Sequence, residues 1–409
     1  NIALSIIILK KTQVILPYII QELMIMKILI TSDWDFEAVN GVVTSMKNLK
    51  VELEKRGHEV RLLTLSMNRD SCIENNTYYI GSVSAERIYH RARIRTSPGK
   101  KVLKAVYQWG PDVVHSQCEF STFFVAKKIS KHLSIPLVHT YHTVYEDYVG
   151  YVLPCALNTG KKFVRFFSKW EANKCSTFIA PTKKVERLLR GYGIKGRIDV
   201  IPTGIDMSRF MMETSNKWRK NTLTKLGIPE NNKILIYVGR LGKEKNISEV
   251  LSYVAKENRN DISFLIVGDG PYRKELEEEA EKLSLKAPKV VFAGMVDPKE
   301  VASWYTLGSV FINASTSETQ GLTYIEALAS SLPLLCRKDP ALEDVLIEGY
   351  NGWQWEGEKD FISKLDAFLY SSEEERNNMK KNAKESSIQF SSTLFAEKAE
   401  KLYLELMEK

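Results

Sequence analysis

The chain reads as two similar α/β domains in tandem, each a parallel sheet covered on both faces by helices. Three observations predict this class. From residue 26 onward, short apolar runs alternate with amphipathic stretches, the pattern of doubly buried strands joined by crossover helices. The series stops near Asp206 and begins again at KILIYVGR. A length of 409 residues, 44% hydrophobic and 26% charged, is enough for two cores of ordinary size.

The first series opens with the strand Lys27-Ile28-Leu29-Ile30-Thr31. Asn40-Gly41 then supply a tight loop and a helix start, with the helix running from Thr44 to about Arg56. In a doubly wound sheet that loop lies at the carboxyl edge of the first strand, where ligands bind. Strands follow from Glu59 to Leu65, in PDVVHS and in PLVHTYH, with a helix from Ser121 to Lys131 between the last two. STFIAP, a helix from Thr182 to Tyr192 and IDVIPTGID close a domain spanning 26–205. A linker and a helix ending near Leu226-Gly227 lead into the second domain, 206–385. Its strands KILIYVGR, ISFLIVGDGP, KVVFAG, SVFINAS and LPLLC alternate with helices from Ile247, from Tyr272 to Leu283, from Pro298 to Tyr305 and through Glu326. The charged, periodic tail from about Ser371 is expected to be helical, and its last part, 386–409, to be a helix placed to pack back on the first domain.

Composition narrows the classes. Five cysteines, odd in number and widely spaced, form neither metal-type pairs nor a disulfide framework and read as reduced cytosolic thiols. The net charge of +8 is concentrated in the first half, where residues 27–205 hold 28 Lys/Arg against 16 Asp/Glu. That excess suits an anionic partner, a membrane surface or a nucleic acid, and no nucleic-acid motif accompanies it. Residues 1–25 are apolar but interrupted by Lys10-Lys11 and Pro17, so they lack the run of about 20 residues that spans a bilayer. They are expected to be a non-native or over-extended leader, with interfacial anchoring as the alternative.

Three constellations carry chemistry. Glu318 and Glu326 sit eight positions apart, the first in a polar loop and the second a turn into an apolar helix. Between them Thr319-Gln320-Gly321-Leu322 allow close backbone approach at a helix start, whose N–H groups favour phosphate. Gly239-Arg240 with Glu244-Lys245 follows a strand directly, and Arg240 and Lys245 bracket a diphosphate in this reading, neutralising charge on a leaving group. Gly268-Asp269-Gly270-Pro271 also follows a strand but lacks the third glycine of the dinucleotide fingerprint. His142 lies where PLVH runs out into a loop with Tyr145, Glu146 and Tyr148, polar and aromatic neighbours that suit a pocket lining. Asp33-Trp34-Asp35 has no His or carboxylate cluster beside it, and no metal or cofactor is expected.

In order and spacing, Gly239-Arg240 with Glu244-Lys245, Gly268-Asp269-Gly270-Pro271 and Glu318-x7-Glu326 resemble the retaining glycosyltransferases of family 4, which have the GT-B fold: two tandem Rossmann-like domains with the active site in the cleft between them. The resemblance covers nearly all of residues 26–409. It implies that Arg240 and Lys245 hold a nucleotide diphosphate, that Glu318 contacts donor-sugar hydroxyls and that Glu326 binds the ribose. His142 corresponds to the histidine beside the donor sugar. Gly239, Gly268, Gly270 and Thr319 to Leu322 complete the donor site, and the Asn40-Gly41 loop approaches the phosphates. The family usually has Gly-Gly there, and Asn tolerates positive φ.

The stretch YHTVYEDY is similar to that of bacterial diacylglycerol glucosyltransferases, which implies a UDP-glucose donor, a diacylglycerol acceptor on the side of Tyr145, Glu146 and Tyr148, and a peripheral enzyme on the inner face of the cell membrane. Other acceptors (a phosphatidylinositol, a glycosylated lipid or a soluble sugar), an inert nucleotide-sugar binder and an epimerase are the alternatives. Between Lys161 and Trp170, at about 100° per residue, the cations Lys161, Lys162, Arg165 and Lys169 fall in one arc and the aromatics Phe163, Phe166, Phe167 and Trp170 in the next, the form of an interfacial helix. Arg87, Arg91, Arg93, Arg95, Lys100, Lys101 and Lys104 form a second basic stretch expected to attract anionic lipid.

Overall fold

The computed structural model describes residues 24–38, 40–86, 92–146, 149, 156–283 and 289–408. Most of the leader (1–23), Arg87 and Arg91 of the basic stretch, and Tyr148 lie outside the described residues.

The first domain is built on eight strands in the order β10-β9-β8-β7-β1-β2-β4-β3. Its central strands β1 (Lys27–Thr31), β7 (Val113–Ser116), β8 (Leu137–Thr140) and β9 (Thr177–Ala180) are buried almost throughout, which is why they read as unbroken apolar runs. β2 (Glu59–Leu65), β4 (Thr77–Ile80) and β10 (Ile198–Val200) extend the parallel set, and β3 (Cys72–Glu74) adds an antiparallel edge. A separate two-stranded antiparallel sheet pairs β5 (Ser82–Ser84) with β6 (Arg93–Arg95). Among the described residues the sheet is accompanied by the helices α1 (Gly41–Lys55), α2 (Lys100–Trp109), α3 (Ser121–Leu133), α4 (Leu157–Ala172) and α5 (Lys183–Gly191).

After the short α6 (Met207–Phe210) and α7 (Asn216–Leu226), the second domain carries six parallel strands in the order β13-β12-β11-β14-β15-β16. They are β11 (Lys233–Val238), β12 (Ile262–Val267), β13 (Lys289–Gly294), β14 (Val310–Asn313), β15 (Leu334–Arg337) and β16 (Gly352–Trp355). Helices α8 (Ile247–Glu257), α9 (Arg273–Lys282), α10 (Val301–Tyr305), α11 (Leu322–Ala329), α12 (Glu358–Tyr370) and α13 (Glu373–Ser387) flank them. The α10 helix starts three residues later than its sequence suggests, because the Asp297 carboxylate accepts from the Lys299 backbone and holds 297–300 as a turn.

The last helix, α14 (Ser392–Met407), returns to the first domain. Phe395, Leu402 and Tyr403 are buried with Met26, Ile28, Ile30 and Leu49 in one cluster. Tyr403 is hydrogen-bonded to His115 Nδ1 at 2.6 Å, Glu400 meets His58 at 2.8 Å and Arg56 at 2.5 Å, and Arg197 reaches Glu405 at 2.7 Å. The chain therefore crosses between domains twice, and the crossings lie side by side: Ile205 N donates to Phe390 O and Ser392 N to Ile205 O. A Cβ at Gly204 would lie 2.5 Å from Ser391 O, so the close approach needs glycine there.

Candidate active site

The carboxyl edge of the second sheet supplies the charged half of the site. After β11, a 3₁₀ turn places Lys245 Nζ 2.6 Å from Glu318 Oε1. Arg240, at the same strand end, is exposed and paired with Glu244. Glu326, in the second turn of α11, accepts a 2.8 Å bond from the Tyr305 hydroxyl. The two glutamates respond to burial differently. Burial raises both carboxyls, but for Glu318 the charge and hydrogen bond of Lys245, with Ser315 and Lys184, outweigh it and hold the group below the ordinary range. For Glu326 the Tyr305 bond and the charge of Arg209 do not offset burial, and its affinity for a proton is raised. Glu318 is thus an ionised acceptor for hydroxyls, while Glu326 gains from any donor brought to it.

Gly239, Gly268 and Gly270 serve this edge through packing. A Cβ on Gly268 would lie 1.9 Å from Gly239 O and one on Gly270 would lie 2.3 Å from Leu241 O. The loops after β11 and β12 pack backbone to backbone, and only glycine permits it. That contact fixes where Arg240 and Lys245 begin.

The first domain faces this edge with two features. His142 follows β8 and its Nε2 lies 2.7 Å from Gln117 Oε1. Burial, then the neighbouring His139, pushes its pKa down to about 3, so the imidazole is neutral. The second is the start of α1, where a methyl on Gly41 would sit 3.8 Å from Leu322 Cδ1, the first residue of α11. Two helix N-termini with no acidic residue in their first turns meet across the cleft, which favours an anion between them. Asn40 has φ −159° and accepts from Val43 N at 2.9 Å. It is an extended N-cap, and the left-handed conformation that Asn tolerates is not used.

The loop carrying Glu318 is gripped from the other domain. Lys184 Nζ, on α5, donates to Thr316 O and Glu318 O, both at 3.0 Å, and to the buried Asp339 carboxylate at 2.8 Å. Thr182 Oγ1 donates to Thr319 O at 2.7 Å, and Thr319 Oγ1 donates to His142 O at 3.0 Å. Gln320 exchanges two bonds with the Thr203 backbone, at 2.8 and 2.9 Å. Thr319 and Gln320, read from sequence as donor-binding, spend these groups holding the domains together. Lys184, Thr182, Thr203 and Tyr305 were not singled out by sequence reasoning, because no local pattern marks a side chain whose partner lies in the other domain or 21 residues away.

Of the residues expected to line the acceptor side, Tyr145 donates its hydroxyl to Glu119 and Glu146 pairs with Arg165 of α4 at 2.5 Å. The aromatic arc of α4 is divided. Phe163 and Phe166 are 63% and 69% exposed, whereas Phe167 and Trp170 are half-buried and Trp170 packs on Phe123 and Phe124. Of the cations, Lys162, Arg165 and Lys169 are exposed and Lys161 is half-buried. Asp33 and Asp35 are engaged in capping: Asp33 accepts from Ser121 N and Thr122 N at the start of α3, and Asp35 from Glu37 N and Ala38 N.

The model of Glycosyltransferase Family 4 matches residues 39–209, and that of Glycosyl transferases group 1 matches residues 219–386. An alpha-monoglucosyldiacylglycerol synthase of Streptococcus pneumoniae is 35% identical over 344 residues, 83% of this chain and 77% of its own. The chain belongs to the family 4 glycosyltransferases. A second relative of this glycosyltransferase, the alpha-monoglucosyldiacylglycerol synthase of Acholeplasma laidlawii, is 32% identical over 94% of this chain and 98% of its own. The crystal structure of HepE from Anabaena with UDP and glucose superposes with a TM-score of 0.72 at 17% identity, covering 93% of this chain and all of that one. The glycosyltransferase therefore has the GT-B fold, with its family motifs at the facing edges of the two sheets. No helix among the described residues is long and apolar enough to cross a membrane.

Proposed function

We propose that this enzyme transfers glucose from UDP-glucose to the free hydroxyl of diacylglycerol, with retention at the anomeric carbon, on the inner face of the cell membrane. The observation that carries the reading is the likeness, over most of both chains, to two proteins named alpha-monoglucosyldiacylglycerol synthase. In this reading the diphosphate lies between the starts of α1 and α11, with Arg240 and Lys245 neutralising the charge that builds on it. These cations take the place that a metal holds in other transferases. Glu318 orders the sugar hydroxyls, Glu326 takes the ribose and neutral His142 stands beside the sugar. The acceptor hydroxyl attacks from the face the diphosphate leaves, and a leaving-group oxygen helps to take its proton.

A lipid acceptor requires a surface that meets lipid, and the α3 and α4 faces supply one. Phe120, Phe124, Leu157, Phe163 and Phe166 are all exposed, and Lys162, Arg165 and Lys169 are exposed beside them. Aromatic side chains flanked by cations suit an anionic interface.

The test is incubation of purified protein with radiolabelled UDP-glucose and mixed micelles of diacylglycerol and anionic phospholipid, followed by lipid extraction and chromatography. Label in a monoglucosyl lipid is expected. Binding of UDP with no labelled lipid would move the acceptor elsewhere, and equal transfer from GDP-mannose would sink the donor assignment. A change of sugar in UDP-glucose without any acceptor would reveal an epimerase.

A further inference from the structure

The loop between β14 and α11, residues 314–321, carries Glu318, yet much of what holds it belongs to the other domain. Within its own domain, Ser315 N bonds to the Asn313 side chain and Glu318 pairs with Lys245. Across the cleft, Thr316, Glu318, Thr319 and Gln320 are each bonded to α5, to its N-cap Thr182, to His142 or to Thr203. Lys184 stands out among these anchors. Its ammonium group meets two backbone carbonyls and a carboxylate within 3.0 Å, which uses all three of its protons. Asp339, only 5% exposed, also caps its own 3₁₀ turn by accepting from Ala341 N at 2.7 Å. Lys184 thus joins two segments of the second domain, one on each side of α11, from a helix of the first. Lys183 with Asp344 and Arg187 with Glu343 flank it with exposed pairs of the same polarity.

We propose that Lys184 is the closure latch of this enzyme: a positioning residue that seats the Glu318 loop only when the domains are shut, so that donor-sugar contacts are completed by closure. The inference rests on the proposed role of Glu318 as a ligand of the donor sugar. The nucleotide-facing groups Arg240 and Glu326 are held by Glu244 and Tyr305 within the second domain, whereas Lys245 is tied to the latched loop through Glu318. Donor capture through Arg240 and Glu326 is therefore separable from assembly of the reactive arrangement, which Lys184 governs. Displacing the loop by an ångström is enough to reduce turnover on the order of a hundredfold.

The experiment compares wild type, Lys184→Met and Lys184→Arg as full-length proteins, measuring thermal midpoint, UDP affinity by calorimetry, glucose transfer, and the radius of gyration by X-ray scattering with saturating UDP. Lys184→Met is expected to bind UDP within about threefold of wild type, to lose at least about tenfold in kcat and to remain expanded with UDP. Lys184→Arg, whose guanidinium still reaches a carboxylate, is expected to recover part of both losses. A folded Lys184→Met with kcat within twofold of wild type would overturn the latch. So would a loss of kcat with a fully closed radius and no recovery in Lys184→Arg. If Lys184→Met does not fold, Thr182→Val removes one neighbouring anchor, and a kcat and radius equal to wild type would then count against the proposal. Absence of transfer by the wild type would defeat the functional reading, while the scattering comparison would still decide the latch.

Discussion

Lys245 and Glu318 are 73 positions apart and their side chains are in contact, so the ammonium group helps to hold the carboxyl below its ordinary range. Lys245→Ala is expected to reduce kcat by about 10²–10³ while leaving the thermal midpoint within a few degrees; near-normal turnover in a folded variant would remove Lys245 from the diphosphate site. Glu171 presents the opposite case. Both its carboxylate oxygens are buried without a hydrogen-bond partner among the described residues, and burial, with the charge of Glu119, pushes its pKa up to about 10. The folded state keeps this proton while the unfolded state releases it above the ordinary carboxylate range. Stability is therefore lost progressively as pH rises from about 4.5 towards 10. Glu171→Gln is expected to be more stable than wild type by at least about 1 kcal/mol at pH 8, with the gap narrowing towards pH 5 in urea titrations; a gap that does not change with pH would show that Glu171 is ionised when folded. The glutamate spacing was legible in the sequence because one segment carries both residues. The role of Asn40 was not: the residue type allows both a left-handed turn and an N-cap, and the helix that follows selects the cap.

Among elements, the long alternating strands were legible because burial on both faces leaves unbroken apolar runs. β3, β4, β5, β6 and β16 were not, because each is only partly buried and carries no unbroken apolar run. Helical periodicity placed cations and aromatics of α4 in adjoining arcs, but an arc does not say what lies against it. The packing of α3 draws Trp170 inward, under Lys127 at 4.6 Å, and leaves Phe163 and Phe166 outside. The proposed lipid contact accordingly rests on those two rings together with the exposed Phe120 and Phe124 at the start of α3. Phe163→Ser with Phe166→Ser is expected to weaken binding to anionic vesicles at least about tenfold while preserving the thermal midpoint and UDP affinity. Unchanged sedimentation with vesicles would remove α4 from the interface.

At the scale of the molecule, the paired crossings at Ile205 and Ser391 form a two-stranded connection between the domains, on the side where Gly204 permits the approach. The sequence announced two domains and a final helix expected to pack back on the first; helical spacing marks which residues are apolar but not their contacts, and the structure sets Phe395, Leu402 and Tyr403 against β1 and α1. Deleting residues 392–409 removes Phe395, Leu402 and Tyr403 from the first domain's core. Losses of about 2–5 kcal/mol for each large buried side chain together approach or exceed the 5–15 kcal/mol that usually holds a domain. The truncated protein is expected to lose the cooperative unfolding transition of the first domain in calorimetry while the second retains its own; two intact transitions would show that the helix is dispensable.

The return of α14 also governs how the enzyme is made. A ribosome delivers the sheet of the first domain early, but the helix that seals one face of it emerges only after the whole second domain. At about 5–20 residues per second, the intervening chain takes roughly 10 to 40 s to synthesise. Throughout that interval the nascent first domain exposes an unsealed apolar face, so its demand for chaperone protection is set by the translation of its neighbour.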